Sequence, residues 1–153
     1  MLLPFTSDLI VSNKYDCEMA ALADRHYSRR TVGDRQFLPP GRTIVIRNTE
    51  GTLLFGWNWQ YDWKRADLQT GYYCSIFRNE SARLSSEVIL ECEQIAIEKW
   101  GLDRMYTFID GRALRGTNPG YCFLMAGWHR VGRTMSGKEI LVKRDVSART
   151  AAP

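Results

Sequence analysis

The middle of the chain constrains its fold most. Tyr72 to Phe77 alternates like a strand and is rich in aromatics. After it, Ser81 or Ser85 can cap a long helix running to about Trp100, with Val88, Cys92, Ile95, Ala96 and Trp100 as its apolar stripe. Glu87, Glu91, Glu93 and Glu98 fall largely outside that stripe, and Gly101 ends the helix. Met105 to Ile109 is then a buried strand finishing at Asp110. Two strands joined by a helical crossover pair in parallel, so the chain is an α/β (α+β) protein with a mixed central sheet and flanking helices.

The flanks supply antiparallel partners. Leu9 to Val11 reads as a short strand, and Asp16 caps a helix through Cys17, Ala20, Ala23 and Tyr27. Thr43 to Ile46 and Thr52 to Trp59 form a hairpin about Asn48–Gly51. Asn118-Pro119 opens a short helix that stops near Gly127, with proline in the first turn. Trp128 to Arg133 and Glu139 to Lys143 make a last hairpin. With 153 residues the chain is expected to be one domain over 1–153, with 146–153 a frayed tail.

Four cysteines (Cys17, Cys74, Cys92, Cys122) form no C-x-x-C pair and read as reduced thiols, and no metal site is expected. No signal sequence or membrane span is evident, so the expected location is the cytoplasm. Net charge is +4, but it is unevenly spread. Asp24 to Arg47 holds six Arg and two acids, Arg104 to Arg133 five Arg and one Asp, and Glu80 to Asp103 six acids and two bases. A basic face opposite an acidic helix suits a polyanionic partner. A charge-mixed solvated surface is the plainer alternative.

The element order resembles the GNAT N-acyltransferases, in which a short helix after the catalytic strand carries Asn early and Tyr or Phe later. Asn118-Pro-Gly-Tyr-Cys-Phe-Leu-Met-Ala-Gly-Trp128 stands at that place. The resemblance implies an acetyl-CoA or related acyl-CoA donor, with Asn118 along its arm and Tyr121 protonating the leaving thiolate. GNAT enzymes open the long helix with a glycine-rich phosphate loop. Here Arg78-Asn-Glu-Ser-Ala-Arg-Leu-Ser-Ser86 stands instead, and Arg78, Arg83 and Ser81 are the candidate phosphate ligands.

Four pieces further resemble the phage Mom family of DNA-modifying proteins, over about His26 to Val142. They are Arg25-His-Tyr-Ser28, Phe77-Arg-Asn-Glu80, Phe108-Ile-Asp110 and Asn118-Pro-Gly-Tyr-Cys-Phe123. This resemblance implies His26, Tyr27, Arg78, Asp110 and Tyr121 as functional residues, double-stranded DNA as partner, and a carbamoylmethyl group on N6 of adenine as product. Plain acetyl transfer does not yield that group, so donor chemistry beyond acetylation is implied. Asp110 is the expected base, Tyr121 the acid, His26 and Tyr27 position the adenine, and Arg78 holds a phosphate. Each has a simpler reading: His26 a helix C-terminal cation, Tyr27 and Tyr121 packing, Arg78 a partner of Glu80, Asp110 a turn cap. The whole chain likewise has two alternatives, an acetyltransferase for a small amine or protein and a non-enzymatic nucleic-acid-binding module. Oligomeric state stays open, a homodimer being one option.

Overall fold

The computed structural model describes residues 8–26, 31–59, 69–111 and 120–144. Its elements, in order, are β1 (Leu9–Ser12), α1 (Cys17–Ala23), β2 (Arg42–Asn48), β3 (Leu53–Trp59), β4 (Tyr72–Asn79), α2 (Ser85–Trp100), β5 (Met105–Ile109), α3 (Tyr121–Met125), β6 (His129–Arg133) and β7 (Glu139–Lys143). The seven strands form one sheet in the order β1-β2-β3-β4-β5-β7-β6. Only β4 and β5 pair in parallel; the other five neighbouring pairs are antiparallel. The parallel pair expected from the strand-helix-strand core is therefore present.

Alternation sends each strand's side chains to opposite faces. Leu53, Phe55, Trp57, Tyr72, Cys74 and Met105 meet Val88, Ile89, Cys92 and Ala96 of α2 in the larger core. Leu54, Val45 and Ile76 meet Met19, Leu22 and Ala23 of α1 in a smaller core on the other face. Trp57 also donates its indole N–H to the Cys92 carbonyl at 2.9 Å, tying β3 to α2.

Some boundaries differ from expectation. Helix α1 stops at Ala23, with Asp16 capping it as expected through the Met19 N–H at 3.1 Å. Helix α2 begins at Ser85; its N-cap is Leu84, without a side-chain cap, so neither serine has the expected capping role. Glu93 is not on the polar face but buried. Its Oε2 accepts the Trp128 indole N–H at 2.9 Å, and its Oε1 pairs with Lys143 at 2.8 Å and Arg144 at 2.5 Å. The expected helix start at Asn118-Pro119 and the tail 146–153 lie outside the described residues. No helix among the described residues is long and apolar enough to cross a membrane.

Candidate active site

The strands β4 and β5 register at only two positions, Tyr72↔Met105 and Tyr73↔Tyr106. Each strand then keeps its outer partner, β4 with β3 as far as Asn79 and β5 with β7 as far as Ile109. The sheet is thereby split between its two central strands. Two local features accompany the split. In β4, the register with β3 slips at Gly56/Trp57, leaving Ser75 as an extra residue, and such a bulge bends and twists its strand. Ser75 Oγ is held at 2.7 Å from Asn58 Oδ1. At the apex, Thr107 Oγ1 donates to the Cys74 carbonyl at 2.8 Å, so a side chain takes the place of the next ladder bond.

The split opens a cleft of about 280 Å³. Cys74, Ser75, Ile76 and Phe77 of β4 form one wall, and Thr107, Phe108 and Ile109 of β5 form the other. Gly120, Cys122 and Phe123 close it on the α2 side, while His26, Arg78 and Glu80 stand at its α1 side. Gly120 has φ +76, and an added Cβ there would lie 2.9 Å from Leu141 Cδ1 and 3.2 Å from Ile109 Cγ1. The start of α3 approaches β5 closely for that reason.

Of the residues expected to act, His26 and Arg78 line the cleft. Burial, with a smaller contribution from the nearby Arg78 charge, pushes the His26 pKa down to about 4 against an opposing hydrogen bond to the Phe77 backbone. The imidazole is therefore neutral at pH 7, which corrects the reading of His26 as a helix C-terminal cation. Arg78 does pair with Glu80, Nε to Oε2 at 2.8 Å, and its Nη1 donates to the Arg25 carbonyl at 2.9 Å. Asp110 is half-buried and directly follows the lining residue Ile109. Tyr121 is 55% exposed, flanked by the lining residues Gly120 and Cys122.

The expected phosphate ligands beyond Arg78 stand apart from the cleft lining. Arg83 binds Asp8 at 3.0 Å and Glu91 more closely. Ser81 Oγ donates to Asn79 Oδ1 at 2.5 Å. Tyr27 and Asn118 lie outside the described residues. Ser75 and Thr107 were not among the expected site residues, and Cys74 and Cys122 were expected only as reduced thiols. Burial raises the pKa values of both cysteine thiols, so these groups are neutral walls. Phe108 packs on Tyr73, with ring centroids 5.4 Å apart, and Tyr73 stacks on Tyr106 at 5.1 Å.

Neither a family model nor a curated protein matches the chain in sequence. Two solved structures match it in three dimensions, both of aminoglycoside acetyltransferase AAC(6')-Ib, one with coenzyme A and one with coenzyme A and kanamycin. Each has a TM-score of 0.58 and covers 94% of this chain and 98% of that chain, at 17% and 18% identity. The fold is the GNAT acetyltransferase fold. The GNAT-like architecture expected from the element order is thus present.

Proposed function

We propose that the protein is an acyl-CoA-dependent N-acyltransferase whose acceptor is N6 of adenine in double-stranded DNA. The observation that carries the transferase reading is the split between β4 and β5. Strand edges that have left their ladder present N–H and C=O groups to the slot, and buried backbone groups require partners. The arm of coenzyme A is an extended chain bearing two amides and ending in a thiol. Lying between the strands, it satisfies those groups as an added strand does. The N-terminus of α2, without a side-chain cap, provides backbone N–H groups for the pyrophosphate despite the lack of glycines. The solved structures of this fold were obtained with coenzyme A.

The acceptor enters from the α1 side. There the walls are Phe108, a neutral His26 and the guanidinium of Arg78. The flat face of Phe108, backed by Tyr73, suits a purine. In a duplex N6 is paired, so the adenine is flipped out of the stack to reach it. N6 attacks the thioester carbonyl carbon; the new N–C bond forms as the C–S bond breaks. Asp110 takes the amine proton, and Tyr121 gives its proton to the departing thiolate. His26 and Tyr27 orient the base. A carbamoylmethyl product requires donor chemistry beyond this transfer.

The test is thiol release from acyl-CoA by purified protein with duplex DNA as acceptor. Asp110→Asn and Tyr121→Phe should each lower the rate by about 10²-fold or more without lowering the melting temperature. Full activity in either variant removes that residue from its role. A second reading, acetylation of a small amine, is favoured by the kanamycin complex of a protein with this fold. Thiol release with aminoglycosides and not with DNA would select it.

A further inference from the structure

The α1-side mouth of the cleft carries an ion cluster open to water. Two guanidinium groups converge on one carboxylate. Arg25 Nε and Nη2 donate to Glu80 Oε2 and Oε1 at 2.9 and 3.0 Å, and Arg78 Nε donates to the same Oε2 at 2.8 Å. Two cations against one anion leave the cluster with a net charge of +1. The side chains of Arg25, Arg78 and Glu80 are 54%, 36% and 29% exposed. Ion pairs this open to water contribute little to stability. Arg25 grips Glu80 with both arms of its planar fork, the geometry the same group uses on two phosphate oxygens.

We infer that Arg25 and Arg78 form a binding site for a phosphodiester of the acceptor DNA, in which the Glu80 carboxylate sits as an internal stand-in anion until the DNA displaces it. This rests on the nucleic-acid reading of the acceptor. The same chemistry could be supplied by a phosphate of coenzyme A, but position favours the acceptor. Arg78 reaches the carbonyl of Arg25, just beyond α1. The next residue along β4, Asn79, turns to the opposite face and binds the Arg83 carbonyl and Ser85 Oγ at the start of α2, where the cofactor's pyrophosphate belongs. A displaced Glu80 loses little, because it moves from an exposed pair into water. An uncharged or cationic acceptor leaves it in place, so the cluster selects for anionic acceptors.

The test is fluorescence anisotropy of a short labelled DNA duplex, read without cofactor at several salt concentrations. Glu80→Gln should tighten binding roughly tenfold at low salt, because both guanidiniums lose their competing anion. Arg25→Gln and Arg78→Gln should weaken binding, each lowering the slope of log affinity against log salt by about one. Free coenzyme A should not compete. The inference is overturned if Glu80→Gln binds no tighter while melting as the wild type does, or if wild type and Glu80→Gln alike show no measurable affinity. Competition by coenzyme A that disappears in Arg25→Gln would reassign the arginines to the cofactor and also overturn it. Because no acyl group is transferred in this assay, the two proposals fail separately: DNA binding with the predicted variant pattern but no thiol release refutes only the transferase reading, and thiol release on DNA with unaltered binding by the variants refutes only the arginine site.

Discussion

His26 shows how far a single residue's environment departs from its sequence context. Read in sequence, it lies in the last turn of a helix and among arginines. In the fold it is tucked against the Phe77 backbone inside the cleft, and its pKa falls to about 4 from 6.5. The sign of the consequence is set by the depressed value. Above pH 6.5 both folded and unfolded chains carry neutral imidazole, so the residue has no pH-dependent effect. Between 6.5 and about 4 the unfolded chain binds the proton first, so stability falls as pH falls, and the loss levels off below 4. Urea titrations should show this loss in the wild type and not in His26→Gln. Thr107 offers a second check. Thr107→Val removes the hydroxyl that donates to the Cys74 carbonyl at the apex of the split. An expected loss of about 1–2 kcal/mol, read by urea denaturation, reflects a buried acceptor left unpaired. His26 and Arg78 were legible because they belong to recognisable motifs. Ser75 and Thr107 were not, because their importance comes from where a ladder breaks, and no local pattern of side chains reports that.

At the scale of elements, the buried Glu93 illustrates the same limit. Helical periodicity placed it with the solvated acids of α2, yet its partners Trp128, Lys143 and Arg144 come from chain segments far downstream. Local spacing carries no information about such distant charges. Glu93→Ala leaves Lys143 and Arg144 without their buried counter-ion and should cost about 3–5 kcal/mol in thermal or urea unfolding. A smaller loss would mean that the two cations find water readily. Gly71 guards the start of the parallel pair. Its φ is +99, and an added Cβ would lie 2.0 Å from the Arg104 carbonyl oxygen, the acceptor of the Tyr72 N–H. Gly71→Ala should therefore cost about 2–3 kcal/mol in urea unfolding through backbone strain, with the clash adding to it. Element identities and the central β-α-β order were readable from apolar spacing. Helix starts were less so, since α2 begins at Ser85 behind a leucine with no side-chain cap.

For the whole molecule, strand order decides what the protein can do. The crossover through α2 made a parallel pair predictable, but nothing in the local sequence announced that β7 would insert between β5 and β6. That insertion holds β5 in place on its outer edge while its inner edge leaves β4. Charge counting was a weaker guide. In the first basic run, Arg47 is buried against Asp16 and Glu18, and Arg25 is held by Glu80. In the second, Arg130 and Arg133 share Glu139. The field at the surface is thus smaller than the count of arginines suggests. The proposed placing of an acyl-derived group on adenine by this cleft is checked by expressing the protein in a bacterium, digesting the DNA to nucleosides, and weighing them. A heavier deoxyadenosine is expected with the wild type and not with Asp110→Asn, its added mass naming the group. An unchanged nucleoside profile, with soluble and abundant protein that releases thiol from acyl-CoA on a small amine, would contradict it.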